Sequence, residues 1–354
     1  MVETLFEKPL LWLNGEGAHA DIALFSCGSV VRNLADLPFP ARCSEEELRT
    51  AEDRVLTMIE SDDFAISGQY CAMDSLDERE VLFLRERGLI SDEFILRKGP
   101  RGVWVSEDQG LCIIVNGTDH VRVQAYASGL EFDSIWNRLS DVDDVLARGL
   151  DYAFDEKLGY LTSSTGSVGT GLILRVVLHL PVLDMNNRIA TIDQELRTEH
   201  HCLQPHMLAG TGTRREEGQT QGELYSLRNT ATLGRSEPEI VYHINHAASD
   251  LIAQEEQARR QLYQESQRGV EDRVGRARGL AREVRLLEVG EANALLSSLR
   301  LGVAMNLLEG ITIRQLNEAL MASRRGHLEM KLGQDCDDLT LSMERADLFR
   351  ARFS

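Results

Sequence analysis

Cysteines at metal-ligand or redox spacing are missing from this chain. Its six cysteines (Cys27, Cys43, Cys71, Cys112, Cys202, Cys336) are scattered, with no C-x-x-C pair. That spacing argues against a zinc site or a disulfide framework and reads as reduced thiols in a cytoplasmic protein. An excess of basic charge is missing too: 38 Lys+Arg stand against 57 Asp+Glu, a net charge of −19. Nucleic acids and anionic membranes require a basic face, so neither is expected as a partner. No apolar run approaches the roughly 18 residues that a membrane-spanning helix needs. The opening MVETLFEKPLLWLNGEG carries early acids and lacks a basic n-region, a long apolar core and a small-residue cleavage site, so no signal peptide is expected. Proline does not occur after Pro238, and no internal repeat or low-complexity stretch stands out.

What is present is ordinary globular material: 354 residues, 43% hydrophobic and 27% charged, enough for one large domain or two smaller ones. Up to about residue 235, short β-branched runs alternate with turn signals and helical patterns. LCIIVNG (111–117) and HVRVQAY (120–126) read as two strands joined by the Asn116-Gly117 turn. LILRVVLHL (172–180) is a buried strand or helix stopped by Pro181. Ser44 and Glu47 have the spacing of a capping box and open a helix over 44–60; a second helical pattern covers 133–154. Beyond Ser236 the chain turns helical. Ser236-Glu237-Pro238-Glu239 is a helix start, and the remainder is rich in Leu, Ala, Glu, Gln and Arg at helical spacing. The pattern predicts an α+β domain over 1–250 followed by an all-helical domain over 251–354.

Residues 158–183 read LGYLTSSTGSVGTGLILRVVLHLPVL. By composition this is a Ser/Thr/Gly loop entering a buried segment, either a plain turn or a backbone cradle for phosphate. In residue order it resembles Y-L-T-S-C-P-T-N-x-G-T-G-L-R followed by H-L-P-x-L of the bacterial protein-arginine kinases, a branch of the ATP:guanidino phosphotransferase (phosphagen kinase) superfamily. Further segments resemble the same family in the same order. They are Trp12-Leu13-Asn14-Gly15 with Asp21-Ile22, Val31-Arg32-Asn33-Leu34 with Pro38-Phe39-Pro40, Asp119-His120-Val121-Arg122, and Asp151-Tyr152-Ala153-Phe154. The resemblance implies a curved antiparallel sheet flanked by helices, with a helical C-terminal domain that supports a homodimer. It also implies Mg-ATP as cofactor if the protein is active, and partners of the stress-response type: a zinc-binding activator and Clp-type protease components.

Phosphoryl transfer to a guanidinium needs cations that clamp the polyphosphate and carboxylates that orient the acceptor and take its proton. The family pattern supplies five arginines, two glutamates and a reactive cysteine, and most of these positions are substituted here. The glutamate before D-H-x-R falls on Thr118, the second on Gln219, and the cysteine on Ser164. Glu216 and Glu217 lie close to the second position as candidate substitutes. Arginines of the S-S-R-I-R segment fall on Cys27 and Ser29, and the arginine ending the loop falls on Ile173, with Arg175 two residues on. Arg122 and Arg214 remain. In the C-terminal R-D-x-x-R-A motif, which binds phosphoarginine in the bacterial branch, Leu341 and Ser342 take the first two positions and Arg345 is retained. Arg32 is read as structural, either paired to a carboxylate or packed by its stem. The resulting expectation is a kinase-like protein that has lost phosphoryl transfer, binds no metal at a dedicated site and acts as an interaction module; the alternative is an active protein-arginine kinase with relocated groups.

Overall fold

The computed structural model describes residues 2–206 and 222–354. At the Asn116-Gly117 turn, Asn116 sits at φ +56, a left-handed conformation that asparagine tolerates. Its side-chain amide donates to the carbonyls of Leu48 and Pro100. The flanking strands are β4 (Leu111–Val115) and β5 (Val121–Ser128), paired antiparallel. They belong to a sheet completed by β1 (Ala23–Arg32), β2 (Gly68–Ala72), β3 (Gly102–Ser106), β8 (Ile173–His179), β9 (His201–Pro205) and β10 (Leu224–Asn229). The order is β2-β3-β4-β5-β1-β8-β10-β9, and every pairing is antiparallel. A separate hairpin joins β6 (Phe154–Asp155) to β7 (Gly159–Tyr160).

The helices are α1 (Val2–Glu7), α2 (Glu45–Ile59), α3 (Glu78–Glu86), α4 (Asp92–Leu96), α5 (Phe132–Ala147), α6 (Pro181–Met185), α7 (Ile189–Thr198), α8 (Glu237–Glu283), α9 (Val289–Ala304), α10 (Ile313–Ala322), α11 (Arg325–Leu332) and α12 (Asp338–Phe353). The capping boxes at Ser44 and Ser236 form as read. The region after Ser236 is almost wholly helical. The helical pattern over 133–154 stops earlier than its periodicity suggests, at Ala147. Long-range pairing captures the remainder: Tyr152 bridges Leu34, and Phe154 pairs with Tyr160.

Side chains alternate across the sheet, so both faces are buried. Leu111, Ile113, Val115, Val121 and Val123 join one core with residues of α2, α5 and the first half of α8. Cys27, Cys112, Ile114 and Tyr126 face a second core built with α3, the last part of α8, α9, α10 and α12. The long helix α8 serves both because it kinks at Ser266 (φ −144, ψ 52). Gly28 lets α5 press onto the centre of the sheet: a Cβ there would lie 2.6 Å from Cγ2 of Ile135. No helix among the described residues is long and apolar enough to cross a membrane.

Arg32 closes the end of β1. Its guanidinium is 2.6 Å from Asp143, donates to the carbonyls of Val31 and Thr170, and lies 3.5 Å from the centre of the Tyr160 ring. Arg32→Met leaves Asp143 without its cation, and breaking one side of a buried pair costs about 3–5 kcal/mol. Urea unfolding is expected to show a loss of that size, and a loss below about 1 kcal/mol, the value of an exposed pair, contradicts the assignment.

Candidate functional site

Strand β1 lies between β5 and β8, and this arrangement brings together positions that are far apart in sequence. Cys27 is opposite Tyr126 on one side and Arg175 on the other. Ser29 is opposite Gln124 and Ile173, and Val31 is opposite Arg122. Residues directly opposite share a face, as do alternate residues along one strand. Cys27, Ser29, Ile173, Arg175 and Arg122 therefore stand on one face of the sheet. A cleft of about 560 Å³ opens over it, lined by Arg122, Arg175, Gln124, Tyr126 and Thr118 from the sheet and by residues 85–88 and 90–94. Trp12 stacks on Tyr126 with centroids 5.2 Å apart and meets Phe25 edge-on at 4.8 Å, giving the cleft an aromatic wall.

The side chains present fit a polyphosphate poorly. Cys27 and Ser29 are 6% and 7% exposed and carry no cationic group, and Ile173 is apolar. Arg175 is engaged rather than free: its Nε donates to Cys27 Sγ at 3.2 Å, and the adjacent sulfur holds the guanidinium above its ordinary range. Arg85 is paired with Asp92. Arg122 is half-buried and has no hydrogen-bond or ion-pair partner among the described residues, which leaves it as the available cation at the sheet. His206 also lines the cleft; burial, reinforced by Arg175 and Arg324, pushes it down to about 3, so it stays neutral near pH 7. A Mg-ATP complex needs several cations converging on its phosphates; among the described residues the sheet face offers Arg122, and the opposite wall of the cleft adds Arg87. The described residues contain no cluster of acidic, histidine or cysteine side chains able to hold a metal ion.

Around Thr118 the D-H-x-R segment serves the scaffold. Asp119 Oδ1 accepts from Asn33 Nδ2 and from the Ser163 backbone N–H, both at 2.6 Å. Asn33 Oδ1 accepts from the His120 backbone, and His120 Nδ1 accepts from the Leu34 backbone. Ser163 Oγ donates to the Thr118 carbonyl, so the Ser/Thr/Gly loop is pinned to the strand turn. Ser164 is exposed just beyond this knot. Arg345 is buried and spends its donors on the carbonyls of Ser323 and Leu287. Gln219, Glu216, Glu217 and Arg214 lie outside the described residues.

One carboxylate escaped sequence reasoning. Thr118 Oγ1 donates to Glu93 Oε1 at 3.2 Å, and Glu93 also lies 3.7 Å from Arg97. Glu93 sits on the five-residue α4, 25 positions from Thr118, and no local motif marks it; only the folded register of α4 against the β4–β5 turn does.

Known proteins resemble the chain along nearly its whole length. The profile of the ATP:guanido phosphotransferase C-terminal catalytic domain matches residues 50–258, and that of the protein-arginine kinase McsB C-terminal domain matches residues 267–354. A protein-arginine kinase of Symbiobacterium thermophilum is 38% identical over 346 residues, covering 97% of this chain and 96% of its own. Another, from Pelotomaculum thermopropionicum, is 34% identical over 355 residues, covering 99% and 98%. Among solved structures, a lombricine kinase superposes with a TM-score of 0.57 at 23% identity, over 69% of each chain. The duplicated taurocyamine kinase of Schistosoma mansoni superposes with the same score at 20% identity, over 66% of this chain and 33% of that one. These two superpositions speak to the fold, an antiparallel sheet flanked by helices; the sequence matches over almost the full length go further, and on them the chain belongs to the ATP:guanido phosphotransferase family, in its protein-arginine kinase branch.

Proposed function

We propose that this protein is a pseudokinase: a protein-arginine kinase scaffold that has lost phosphoryl transfer and acts as a regulatory or interaction module. One observation carries the reading. The three positions where the family pattern has arginine, Cys27, Ser29 and Ile173, are adjacent on one sheet face and hold a thiol, a hydroxyl and a hydrocarbon. A transition-state arginine is worth about 10³–10⁵-fold in rate, and Arg175, the nearest cation, is committed to Cys27. On this reading the 1–250 unit supplies the kinase-like body and the helical 251–354 unit the contacts of a cytoplasmic homodimer. Partners belong to Clp-type protease or other stress-response machinery, including a zinc-binding activator, and no cofactor is required.

Isothermal titration tests the nucleotide side. Each lost charge-assisted hydrogen bond weakens binding by roughly 1.5–3 kcal/mol, so Mg-ATP is expected to give weak heats or none. A micromolar or tighter dissociation constant contradicts the proposal.

The contact between Glu93 and Thr118 favours a second reading, an active protein-arginine kinase using Mg-ATP and relocated groups. In it Glu93 supplies the carboxylate that position 118 lacks, with Glu216, Glu217 and Arg175 as the other substitutes. Glu93→Gln separates the two readings, because it abolishes any turnover in the second and changes nothing catalytic in the first.

A further inference from the structure

We propose that a second cavity, which shares Arg87 and Met321 with the lining of the cleft, binds a small amphipathic anion: an apolar body carrying one carboxylate or phosphate group. The cavity measures about 420 Å³ and lies between the N-terminal segment and helices α10, α11 and α12. That volume is in the range of small-molecule sites, roughly 300–1,000 Å³. Phe6, Leu10, Leu13, Met321 and Leu348 provide apolar walls.

Its inner end is charged. Arg87 is 5% exposed; its guanidinium lies 4.2 Å from the centre of the Phe83 ring, and its hydrogen-bond acceptors are neutral: the Leu5 carbonyl at 2.8 Å, the Gln109 side-chain carbonyl, and His327 Nε2 at 3.3 Å. Among the described residues no carboxylate lies within ion-pair distance of it. Glu86 reaches it only through His327, whose Nδ1 is 2.9 Å from the Glu86 carboxylate. Arg32 and Arg259, equally buried, have Asp143 and Glu255 beside them. Arg300, Arg324 and Arg345 lack a carboxylate as well, but Arg300 faces a void of only about 20 Å³, room for about one water, and Arg324 and Arg345 donate to backbone carbonyls and, for Arg324, to Asn293. Arg87 opens instead onto a space large enough for a ligand.

The rim carries charges of both signs. Arg314 and Arg352 share a single carboxylate, Glu318, at 3.0 and 2.8 Å, which leaves one positive charge in excess. Lys8 and Lys331 complete the rim, each beside a carboxylate outside the lining, Glu107 at 3.9 Å and Glu344 at 3.1 Å. The lining holds five basic residues and three acidic ones (Glu7, Glu16, Glu318) in a chain of net charge −19. A bare inorganic anion would leave the apolar walls wet, and a purely apolar molecule would leave Arg87 desolvated without a counter-charge. An apolar body bearing an anionic group satisfies both.

The full chain is tested by fluorescence titration with 8-anilinonaphthalene-1-sulfonate and with N-phenyl-1-naphthylamine, which has nearly the same body and no charge. The anionic probe is expected to bind at one saturable site and at least about tenfold more tightly, the low end of what a charge-assisted hydrogen bond provides. Phenyl phosphate and phenylacetate, added separately as competitors, identify the preferred head group, and displacement by neither overturns the proposal. Ala322→Phe fills the cavity, while Lys8→Glu with Lys331→Glu reverses two exposed rim charges at little cost to stability. Both variants are expected to weaken the anionic probe about tenfold or more with an unchanged melting temperature. If Ala322→Phe does not fold, the rim variant decides alone. Equal binding of the two probes, or anionic binding unaffected by the folded variants, overturns the proposal.

Discussion

Thr118→Glu together with Gln219→Glu is expected to leave the protein without phosphoryl transfer, and transfer is expected to emerge only when Cys27→Arg, Ser29→Arg and Ile173→Arg are added. Two carboxylates orient a guanidinium, but nothing holds the donor phosphate in line with it. The three arginines supply that clamp because their positions are already adjacent: Ser29 is opposite Ile173, and Cys27 is two residues along the same face. A positioned base is worth about 10²–10⁴-fold and a clamping arginine about 10³–10⁵-fold, and groups that act as a unit do not contribute additively. The same geometry sets the penalty. Cys27 and Ser29 are closed off from solvent, and Arg175 already donates to Cys27. New guanidiniums there repel Arg175 and one another, so the five-fold variant is expected to melt below the parent and recover when Mg-ATP is added. Phosphoarginine formation by the carboxylate pair alone, measured by mass spectrometry, contradicts this account of the site.

Acid is expected to unfold the protein well above the pH at which carboxylates titrate. His120 is fully buried, with Nδ1 accepting from the Leu34 backbone, and burial lowers it from 6.5 to about 4. His201 is likewise pushed down to about 4 by burial. His179 and His327 are also lowered by burial, and in each a ring nitrogen faces an arginine: Arg259 Nη2 at 3.4 Å and Arg87 Nε at 3.3 Å. A protonated ring cannot accept from these donors. The unfolded chain takes up protons near pH 6.5 while the folded chain does not, so the unfolded state binds more protons and stability falls as pH drops from 6.5 towards 4. His120 alone contributes on the order of 3 kcal/mol across that window. The urea midpoint is expected to fall steeply between pH 7 and pH 5, and His120→Gln is expected to flatten the dependence. Equal midpoints at the two pH values contradict the assignment of neutral buried histidines.

How much of this was legible in the sequence depended on the range of the forces involved. The β4–β5 hairpin and the helical tail were readable because a turn dipeptide, alternation and helical spacing are local. The end of α5 was not, because the bridge from Tyr152 to Leu34 and the pairing of Phe154 with Tyr160 cross long stretches of chain. Spacing placed Arg175 on the same face as Ile173, yet only strand register sets it against Cys27. Glu93 was invisible for the same reason: its proximity to Thr118 is made by tertiary packing alone. The cavity behind Arg87 draws on segments at both ends of the chain, and no window of sequence contains it.

Loss of phosphoryl transfer is tested by incubating the unmodified protein with Mg-ATP and either free arginine or an arginine-rich protein, and assaying for acid-labile phosphoarginine by phosphorus NMR. No phosphoarginine above the background without enzyme is expected. Sustained turnover would contradict that loss and would direct attention to Glu93, Glu216 or Glu217 as the base.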